Sequence, residues 1–319
     1  SLVNAVLRRC TREHPELPGG ERALTYSFPQ WLIERLKRAY PACDLDELLA
    51  ASNCHAPMWL RVEVSRGSRE EYVTLLRQAG LDCTTSALAP AAVCLTHPVA
   101  VTELPGFDDG RCSVQDLSAQ LAVPLLELED RQKVLDCCCA PGGKSAQMLD
   151  LADIKLTAID SSASRQERTA TTLKRLRREA RLCCLDLSGP GWLAGESFER
   201  ILVDAPCSAT GVLRRHPEIK WLRRERDVSR LARTAAAILR EAFAHLSEGG
   251  ILVYATCSLM PEENQQLIER FLGENAPQAR PLPFATPQGP AYMWQRLPGE
   301  DNGDGFFYAR LTRAQAGQA

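Results

Sequence analysis

Residues 133–145 read Lys-Val-Leu-Asp-Cys-Cys-Cys-Ala-Pro-Gly-Gly-Lys-Ser, in which a short apolar strand runs into a turn with two adjacent glycines. Because glycine has no Cβ, Gly142 and Gly143 let the backbone turn sharply and approach a ligand closely. The amides of the next helix then point into the crevice beyond the carboxyl ends of the strands, where open α/β sheets bind ligands. The pattern is neither G-x-G-x-x-G nor a P-loop, which argues against dinucleotide and nucleoside triphosphate sites.

Outward from this turn, strand and helix patterns alternate along the chain. Strand patterns cover 155–159, 181–185, 199–204 and 250–256, and helix patterns cover 116–128, 144–151, 161–178, 222–246 and 262–272. Such alternation predicts an α/β fold, a Rossmann-like domain with a mostly parallel sheet and helices on both faces. A late strand is expected near residues 305–311, and the proline-rich stretch 276–290 reads as an irregular loop.

The N-terminal part has different patterns. Residues 1–55 read as helical, with Asp44 placed to cap one of the helices. Residues 58–64 alternate as a strand does, Ser68 opens a capping box, and a strand pattern returns near Val93. The chain is therefore predicted to contain three parts: a helical segment, residues 1–55; a small α+β module, residues 56–125; and the α/β domain, residues 126–319.

Composition and charge limit the classes of function. The 319 residues are 45% hydrophobic and 24% charged, which is ordinary for a globular protein with a sizeable core. The net charge of -2 means that any nucleic-acid site is a local basic patch. No apolar run approaches the roughly 18 residues that span a bilayer, and the N-terminus does not read as a signal peptide. Thirteen cysteines without C-x-x-C spacing argue against structural zinc and predict free thiols in a reducing cytoplasm.

Two acids follow the second and third strand patterns. Asp160 lies 18 residues after Gly142, close to the roughly 20 residues typical of acids that bind ribose hydroxyls. Asp186 is placed to reach an adenine edge. Each acid alone could equally be a helix cap or a loop residue, but together with the glycine turn they predict a nucleotide-type pocket.

Two further loops, here called the thiol loops, follow the fourth and fifth strand patterns. One reads Asp204-Ala-Pro-Cys207-Ser, and the other reads Thr256-Cys257-Ser. Because parallel strands all end at one edge of a sheet, both thiols are expected at the edge that carries the glycine turn. A lone cysteine is usually an inert packing residue, but two thiols, an acid and a nucleotide-type pocket at one edge form an unusual constellation.

These motifs resemble those of RNA 5-methylcytosine methyltransferases of the NOL1/NOP2/Sun family. The resemblance rests on residues 135–144 and both thiol loops; residues 214–222 and 303–308 are similar to the bacterial members that methylate a cytosine of 16S ribosomal RNA. Residues 2–9 resemble the tail of the NusB-like RNA-binding domain of those members. The chain has Cys-Cys-Cys-Ala and Ser145 where the family usually has Leu-Cys-Ala-Ala and Thr, small changes that should preserve cofactor binding.

The resemblance implies an S-adenosyl-L-methionine-dependent catalytic domain and a small module that binds RNA. It implies that Cys257 attacks carbon 6 of the cytosine, that Cys207 assists product release, that Asp204 contacts the base edge, and that Lys144 lines the same pocket. With the two pocket acids, the predicted cofactor-binding residues are Cys138, Cys139, Ala140, Pro141, Gly142, Gly143, Lys144, Asp160, Asp186 and Asp204.

A basic stretch directly after Cys207 is predicted to bind RNA by phosphate contacts and base stacking. Its candidate residues are Arg214, Arg215, Lys220, Trp221 and Arg223. A second basic stretch, residues 174–181, reads as a solvated helix face. The expected partner is RNA, 16S rRNA in particular, with no metal and no membrane, for a monomeric cytoplasmic enzyme.

Three alternatives stay open at this point. One is a methyltransferase of the same chemistry that acts on tRNA, which the catalytic motifs do not exclude. A non-catalytic ribosome-assembly factor with the same fold is disfavoured by the intact catalytic set Lys144, Asp204, Cys207 and Cys257. An NAD-dependent enzyme is disfavoured by the missing dinucleotide fingerprint.

Overall fold

A computed structural model describes residues 2–14 and 20–315. Residue 1 and residues 15–19 of the predicted helical segment lie outside the described residues, as do residues 316–319 of the α/β domain. None of the described helices is long and apolar enough to cross a membrane. All thirteen cysteines are free thiols.

The structure contains eleven α-helices and fourteen strands within the described residues. The helices are α1 (Leu2–Glu13), α2 (Arg22–Thr25), α3 (Gln30–Ala39), α4 (Leu45–Ala51), α5 (Arg69–Gln78), α6 (Leu117–Gln120), α7 (Gly143–Leu151), α8 (Ala163–Arg175), α9 (Ile219–Leu222), α10 (Glu225–Ala244) and α11 (Gln265–Glu274). The strands are β1 (Met58–Val62), β2 (Cys83–Thr85), β3 (Ala92–Leu95), β4 (Cys112–Val114), β5 (Lys133–Cys137), β6 (Lys155–Asp160), β7 (Arg181–Cys184), β8 (Phe198–Asp204), β9 (Leu246–Thr256), β10 (Ala279–Pro281), β11 (Phe284–Thr286), β12 (Gly289–Ala291), β13 (Met293–Arg296) and β14 (Phe306–Arg313).

The main sheet has the order β10-β14-β9-β8-β5-β6-β7, and β13 also pairs with β14. Strands β9, β8, β5, β6 and β7 are parallel, whereas β14 is antiparallel to β9. The predicted mostly parallel α/β sheet is therefore confirmed. Strand β5 lies between β6 and β8, so the strand order reverses at β5. Open α/β sheets bind ligands in the crevice at the carboxyl ends of the strands, at the point where the strand order reverses.

Both faces of this sheet are covered, which explains the nearly continuous apolar runs of its strands. In β5, Leu135 and Cys137 contact one core and Val134 contacts the other. The first core contains the apolar faces of α10 and α11. The second contains residues of α6, α7 and the 3₁₀ turn Val123–Leu126.

Three element predictions were wrong in detail. The stretch 276–290 is not irregular, because it contains β10, β11 and nearly all of β12. The helix predicted over 222–246 is divided into α9 and α10, because Arg223 and Arg224 adopt extended backbone conformations with ψ of 143° and 154°. The helix predicted over 116–128 is short, because a 3₁₀ turn with Pro124 near its start replaces its second half.

The small module is a four-stranded antiparallel sheet of order β2-β3-β1-β4, packed against α5. The predicted capping box is present, since the Ser68 hydroxyl accepts from the amide of Glu71 and the Glu71 carboxylate accepts from the amide of Ser68. In the helical segment, Asp44 caps α4 as predicted, accepting from the amide of Asp46 at 2.8 Å. The boundaries at residues 55 and 125 remain predictions.

Candidate active site

The glycine turn begins at the carboxyl end of β5. Gly142 has a φ of +93°, and a Cβ there would lie 3.0 Å from Cγ2 and 3.1 Å from Cα of Thr169 in α8. Only glycine therefore fits both the backbone conformation and the space. Cys138 also has a positive φ, of 62°, which is uncommon for a residue with a side chain and typical of functional turns.

The two predicted pocket acids differ in their surroundings. Asp160 is buried; its carboxylate pairs with Arg165 at 2.8 Å, accepts from the amide of Ser162 at 3.0 Å, and reaches the amide of Ala140 at 3.4 Å. It therefore joins the end of β6 to the glycine turn. Asp186 is exposed and accepts from the amide and hydroxyl of Ser188, which lower its pKa. No described hydrogen bond connects Asp186 to the turn.

Sequence reasoning missed a third acid, Asp136, the fourth residue of β5. It is fully buried, and one carboxylate oxygen accepts from the Ser145 hydroxyl at 2.5 Å. The other oxygen has no hydrogen-bond partner among the described residues. Burial raises the pKa of Asp136 to about 7. The sequence signal was its place at the end of the first strand, directly before the cysteine run.

Lys144 and Asp204 form the charged pair of the site. The Lys144 ammonium donates to the Asp204 carboxylate at 2.7 Å and lies 5.1 Å from the ring centre of Phe306. Burial by itself would lower the pKa of Lys144, but the adjacent carboxylate outweighs it and the pKa is raised. The lysine is therefore charged, and its charge is neutralised by Asp204.

The structure brings the two predicted thiols together. The sulfur atoms of Cys207 and Cys257 lie 3.6 Å apart, and both residues are half-buried. The hydrogen bond with Cys257 and burial raise the pKa of Cys207 well above its ordinary value. The register of β8 and β9, in which Asp204 faces Ala255, aligns the two strand ends and so explains the short distance.

A buried polar network lies beneath the thiol loops and was not predicted. Glu263 accepts hydrogen bonds from Ser208 and Ser258, the residues that follow the two cysteines. The next residue, Asn264, binds Thr256 and the carbonyl of Ser258. Its sequence signal is the polar stretch Glu-Glu-Asn, which begins five residues after Cys257 and by itself predicts only the start of a helix.

The small module also contacts the cofactor turn, which the sequence did not reveal. Arg61 of β1 is buried and donates to the carbonyl of Gly143 at 2.6 Å. The same guanidinium pairs with the buried Glu63 at 2.5 Å and contacts the side chain of Gln115. One buried arginine therefore connects the module to the backbone of the turn.

Three of the five predicted RNA-contact residues are paired with other groups of the protein. The guanidinium of Arg214, only 2% exposed, pairs with Asp304 at 2.6 Å, and Arg215 pairs with Asp304 and with Asp116 at 2.8 Å. The Lys220 ammonium is buried, donates to Asn53 at 2.7 Å, and lies over the Phe28 ring. Arg214 and Arg215 neutralise acids of the protein itself, and Lys220 contacts the N-terminal helical segment. The structure therefore gives no support to phosphate contacts by these three residues.

The other two predicted RNA contacts are accessible. Trp221 is 60% exposed, and its neighbour Leu222 is 73% exposed. Arg223 is half-buried and donates to the carbonyl of Ser208 at 3.2 Å, next to Cys207. Trp221 therefore offers an exposed aromatic ring, and Arg223 contacts the thiol loop that contains Cys207.

The edge of the sheet fits a nucleotide-type cofactor. The nearest neighbour of a Cβ at Gly143 would be the Gln115 side chain at 3.9 Å, an ordinary contact distance, so the turn is not tightly packed at this position. The buried acids Asp136 and Asp160 lie at the ends of adjacent strands, and Asp160 reaches the amide of Ala140 in this turn. A crevice with a tight backbone turn and buried acids suits a polar ligand with hydroxyl and amino groups.

Comparisons with known families agree with this geometry. The family model described as 16S rRNA methyltransferase RsmB/F matches residues 123–312, and the ferredoxin-like domain of the RsmF/B-like methyltransferases matches residues 28–102. The chain is 45% identical over 316 residues to ribosomal RNA small subunit methyltransferase B of Klebsiella pneumoniae, covering 98% of this chain and 72% of that protein. The same named protein of Yersinia pestis is 44% identical over 98% of this chain and 73% of its own length.

Solved structures show the same architecture. A methyltransferase homolog from Pyrococcus horikoshii, 25% identical, matches with a TM-score of 0.77 over 92% of this chain and 97% of its own. NSun6 from the same organism, determined with SFG, is 20% identical and matches the fold with a TM-score of 0.79 over 91% of this chain and 99% of its own. The predicted cofactor class, S-adenosylmethionine, is the one used by this methyltransferase family. The chain belongs to the RsmB/F family of 16S rRNA methyltransferases.

Proposed function

We propose that the protein methylates carbon 5 of a cytosine in 16S rRNA through a covalent adduct with Cys257. The observation that carries this proposal is the 3.6 Å distance between the Cys207 and Cys257 sulfurs, at the end of the sheet that also carries the glycine turn. Two inert packing thiols would not need to lie beside a charged lysine–aspartate pair. Covalent catalysis by one thiol and assistance by a second explains why both are there.

Residues at the ends of four strands would bind the cofactor. The turn 138–144 supplies backbone amides and the Lys144 side chain, and Asp160 supplies a carboxylate beside it. We keep Asp186 as a candidate for the adenine edge and Asp204 as a residue between cofactor and base. When bound, S-adenosylmethionine supplies an electrophilic methyl group.

Attack by the Cys257 thiol would make carbon 5 of cytosine nucleophilic. Carbon 5 of cytosine is a poor nucleophile, and addition of the Cys257 thiolate at carbon 6 moves electron density onto carbon 5. The Cys257 thiol loses one proton as it attacks, and transfer of one proton to ring nitrogen 3, which Asp204 would carry, neutralises the added negative charge on the ring. Lys144 neutralises Asp204 when the base is absent, so the charged pair can open as the base enters.

Release completes the reaction. After methyl transfer, a base must remove the proton of carbon 5 so that the carbon 6–sulfur bond breaks and Cys257 leaves as a thiolate. We assign this base to Cys207, whose thiol must first lose its own proton to solvent and then acts as a thiolate. Its raised pKa makes it a strong proton acceptor once deprotonated, and its position beside Cys257 places it near the same two ring carbons.

RNA must present an unstacked base to this edge of the sheet. Flipping a base costs a few kcal/mol, less in a loop than in a duplex. Stacking of a neighbouring base on the exposed ring of Trp221, with phosphate contact by Arg223, would offset that cost. We therefore retain these two residues as RNA contacts and do not propose Arg214 or Lys220.

The test is methylation of unmethylated 16S rRNA transcript by the purified chain with S-adenosylmethionine, followed by bisulfite sequencing. We expect protected cytosine at a single position and none with Cys257→Ala. Methylation by Cys257→Ala at the normal rate would remove the proposed nucleophile. Methylation of tRNA but not of the 16S transcript, run in parallel, would overturn the assigned substrate.

A further inference from the structure

The carboxylate of Glu263 lies beneath both thiol loops and is completely buried. One of its oxygens accepts from the amide of Ser208 at 2.7 Å. The other accepts from the hydroxyl of Ser208 at 2.6 Å and from that of Ser258. Each serine directly follows one of the two cysteines, so a single side chain contacts both loops one residue away from each sulfur.

Glu263 and the two serines that it binds are all fully buried. Burial raises the pKa of Glu263, whereas the three hydrogen bonds that it accepts favour the carboxylate. Burying an acid is costly unless its oxygens are satisfied. A buried acid beside two reactive groups is expected where the relative position of these groups matters for function, because its burial costs free energy.

Neighbouring groups extend the same contact. Thr210 of the first loop hydrogen-bonds to the amide of Leu259 in the second at 2.9 Å. Asn264 binds the Thr256 hydroxyl at 2.6 Å. The backbone carbonyl of Glu263 accepts from the buried Tyr254 hydroxyl at 2.7 Å, which fixes the glutamate itself against β9.

We propose that Glu263 is a positioning residue that fixes the distance and relative orientation of the Cys207 and Cys257 thiols by binding the serine that follows each of them. Only the expected effect on the methylation rate rests on the proposed function. The distance between the thiols is a property of the protein without RNA or cofactor. Glu263 touches neither reacting atoms nor ligand, so it acts through the two loops.

The negative charge of Glu263 has a second effect. It contributes, after the hydrogen bond with Cys257 and burial, to the raised pKa of Cys207. Cys207 thus keeps its proton before the reaction, while Lys144 provides positive charge near Cys257.

The test compares Glu263→Gln with Glu262→Gln, a matched change one residue earlier. Glu262 pairs with Arg35 at 2.9 Å, away from the thiol loops. Each protein is equilibrated with oxidised and reduced glutathione, so that two thiols and one oxidised glutathione give the Cys207–Cys257 disulfide and two reduced glutathiones. Peptide mass spectrometry then gives the effective concentration of this thiol pair.

We expect Glu263→Gln to lower that effective concentration at least tenfold, and Glu262→Gln to leave it within twofold of the starting protein. The methylation kcat should fall about 10- to 100-fold with Glu263→Gln, since a displacement of about 1 Å can cost that much. The KM for S-adenosylmethionine should stay unchanged. If Glu263→Gln does not fold, Ser258→Ala removes one of the serine contacts and should lower the effective concentration by a smaller factor.

An unchanged effective concentration in Glu263→Gln, or in Ser258→Ala where only that variant folds, would overturn the proposal, even if kcat falls. A fall of equal size in Glu262→Gln would overturn it too, because the effect would then not be specific to the serine contacts. A lowered effective concentration in a protein that never methylates RNA would support the positioning role while refuting the proposed function. The two proposals can therefore fail separately.

Discussion

Replacement of Asp136 by asparagine is expected to stabilise the protein, and more so at pH 8 than at pH 5. The carboxyl group is fully buried, one of its oxygens has no partner among the described residues, and burial raises its pKa from the ordinary 3.8 to about 7. In the folded protein the group therefore binds a proton between about pH 4 and 7 that the unfolded chain has lost. By linkage, the free energy of unfolding falls as the pH rises through this window and is constant above it.

The size of the effect follows from the shift. Each tenfold change in proton affinity is worth about 1.4 kcal/mol, so burial of Asp136 costs the folded protein about 4 kcal/mol at pH 8, where the group is ionised, and about 1.5 kcal/mol at pH 5, where it must take up a proton. Asparagine has nearly the same shape and can still bind the Ser145 hydroxyl, but it is never charged. The variant should gain about 2–3 kcal/mol more at pH 8 than at pH 5.

The assay is urea unfolding followed by circular dichroism at both pH values. The control is Asp150→Asn, which changes a buried acid that pairs with Arg178 at 2.9 Å and accepts from the amide of Val64 at 2.7 Å. That variant should be less stable at pH 8, because it leaves a cation and an amide without their partner. Equal differences between Asp136→Asn and the starting protein at both pH values would refute the reasoning.

Three further predictions concern the contacts around the site. Arg61→Met should weaken binding of S-adenosylhomocysteine about tenfold in calorimetry, because the carbonyl of Gly143 loses a charged donor worth about 1.5 kcal/mol or more; unchanged affinity would mean that the small module does not support the turn. Trp221→Ala should lower 16S rRNA affinity by about 1–3 kcal/mol in filter binding, with S-adenosylhomocysteine affinity as the internal control. RNA affinity equal to that of the starting protein would exclude stacking by this ring. Asp304→Asn should lower the free energy of unfolding by about 3–5 kcal/mol in urea, since the buried Arg214 loses its close charge partner; a loss under 1 kcal/mol would show that Asp116 compensates.

Much of the fold was predictable because its signals are local. The edge of the sheet that carries the candidate active site could be predicted from three local signals. These are the glycine turn after one apolar strand and the cysteines after two later strands. Parallel strands bring their carboxyl ends together whatever the loop lengths are, so Lys144, Asp204, Cys207 and Cys257 could be grouped from sequence alone. Their actual proximity, with 2.7 Å between the charged atoms of the first two, agrees with that logic.

Contacts between distant parts of the chain could not be predicted from the sequence. Arg214 and Lys220 looked like surface cations in a basic run, but their partners Asp304 and Asn53 lie 90 and 167 residues away. The contacts of Glu263 could not be predicted for the same reason, because its place in the sequence indicates only an ordinary acid at the start of a helix. No periodicity in a sequence shows which charge will be neutralised inside the fold.

The central claim is tested most directly by intact-mass analysis of Cys207→Ala and Cys257→Ala after incubation with unmethylated 16S rRNA fragment and S-adenosylmethionine. Loss of the assisting thiol should leave Cys207→Ala bonded to methylated RNA, with the mass of protein plus nucleotide after nuclease digestion located on the peptide that contains Cys257. Cys257→Ala should show only free protein. An adduct on any other peptide, or equal product release by both variants, would contradict the account.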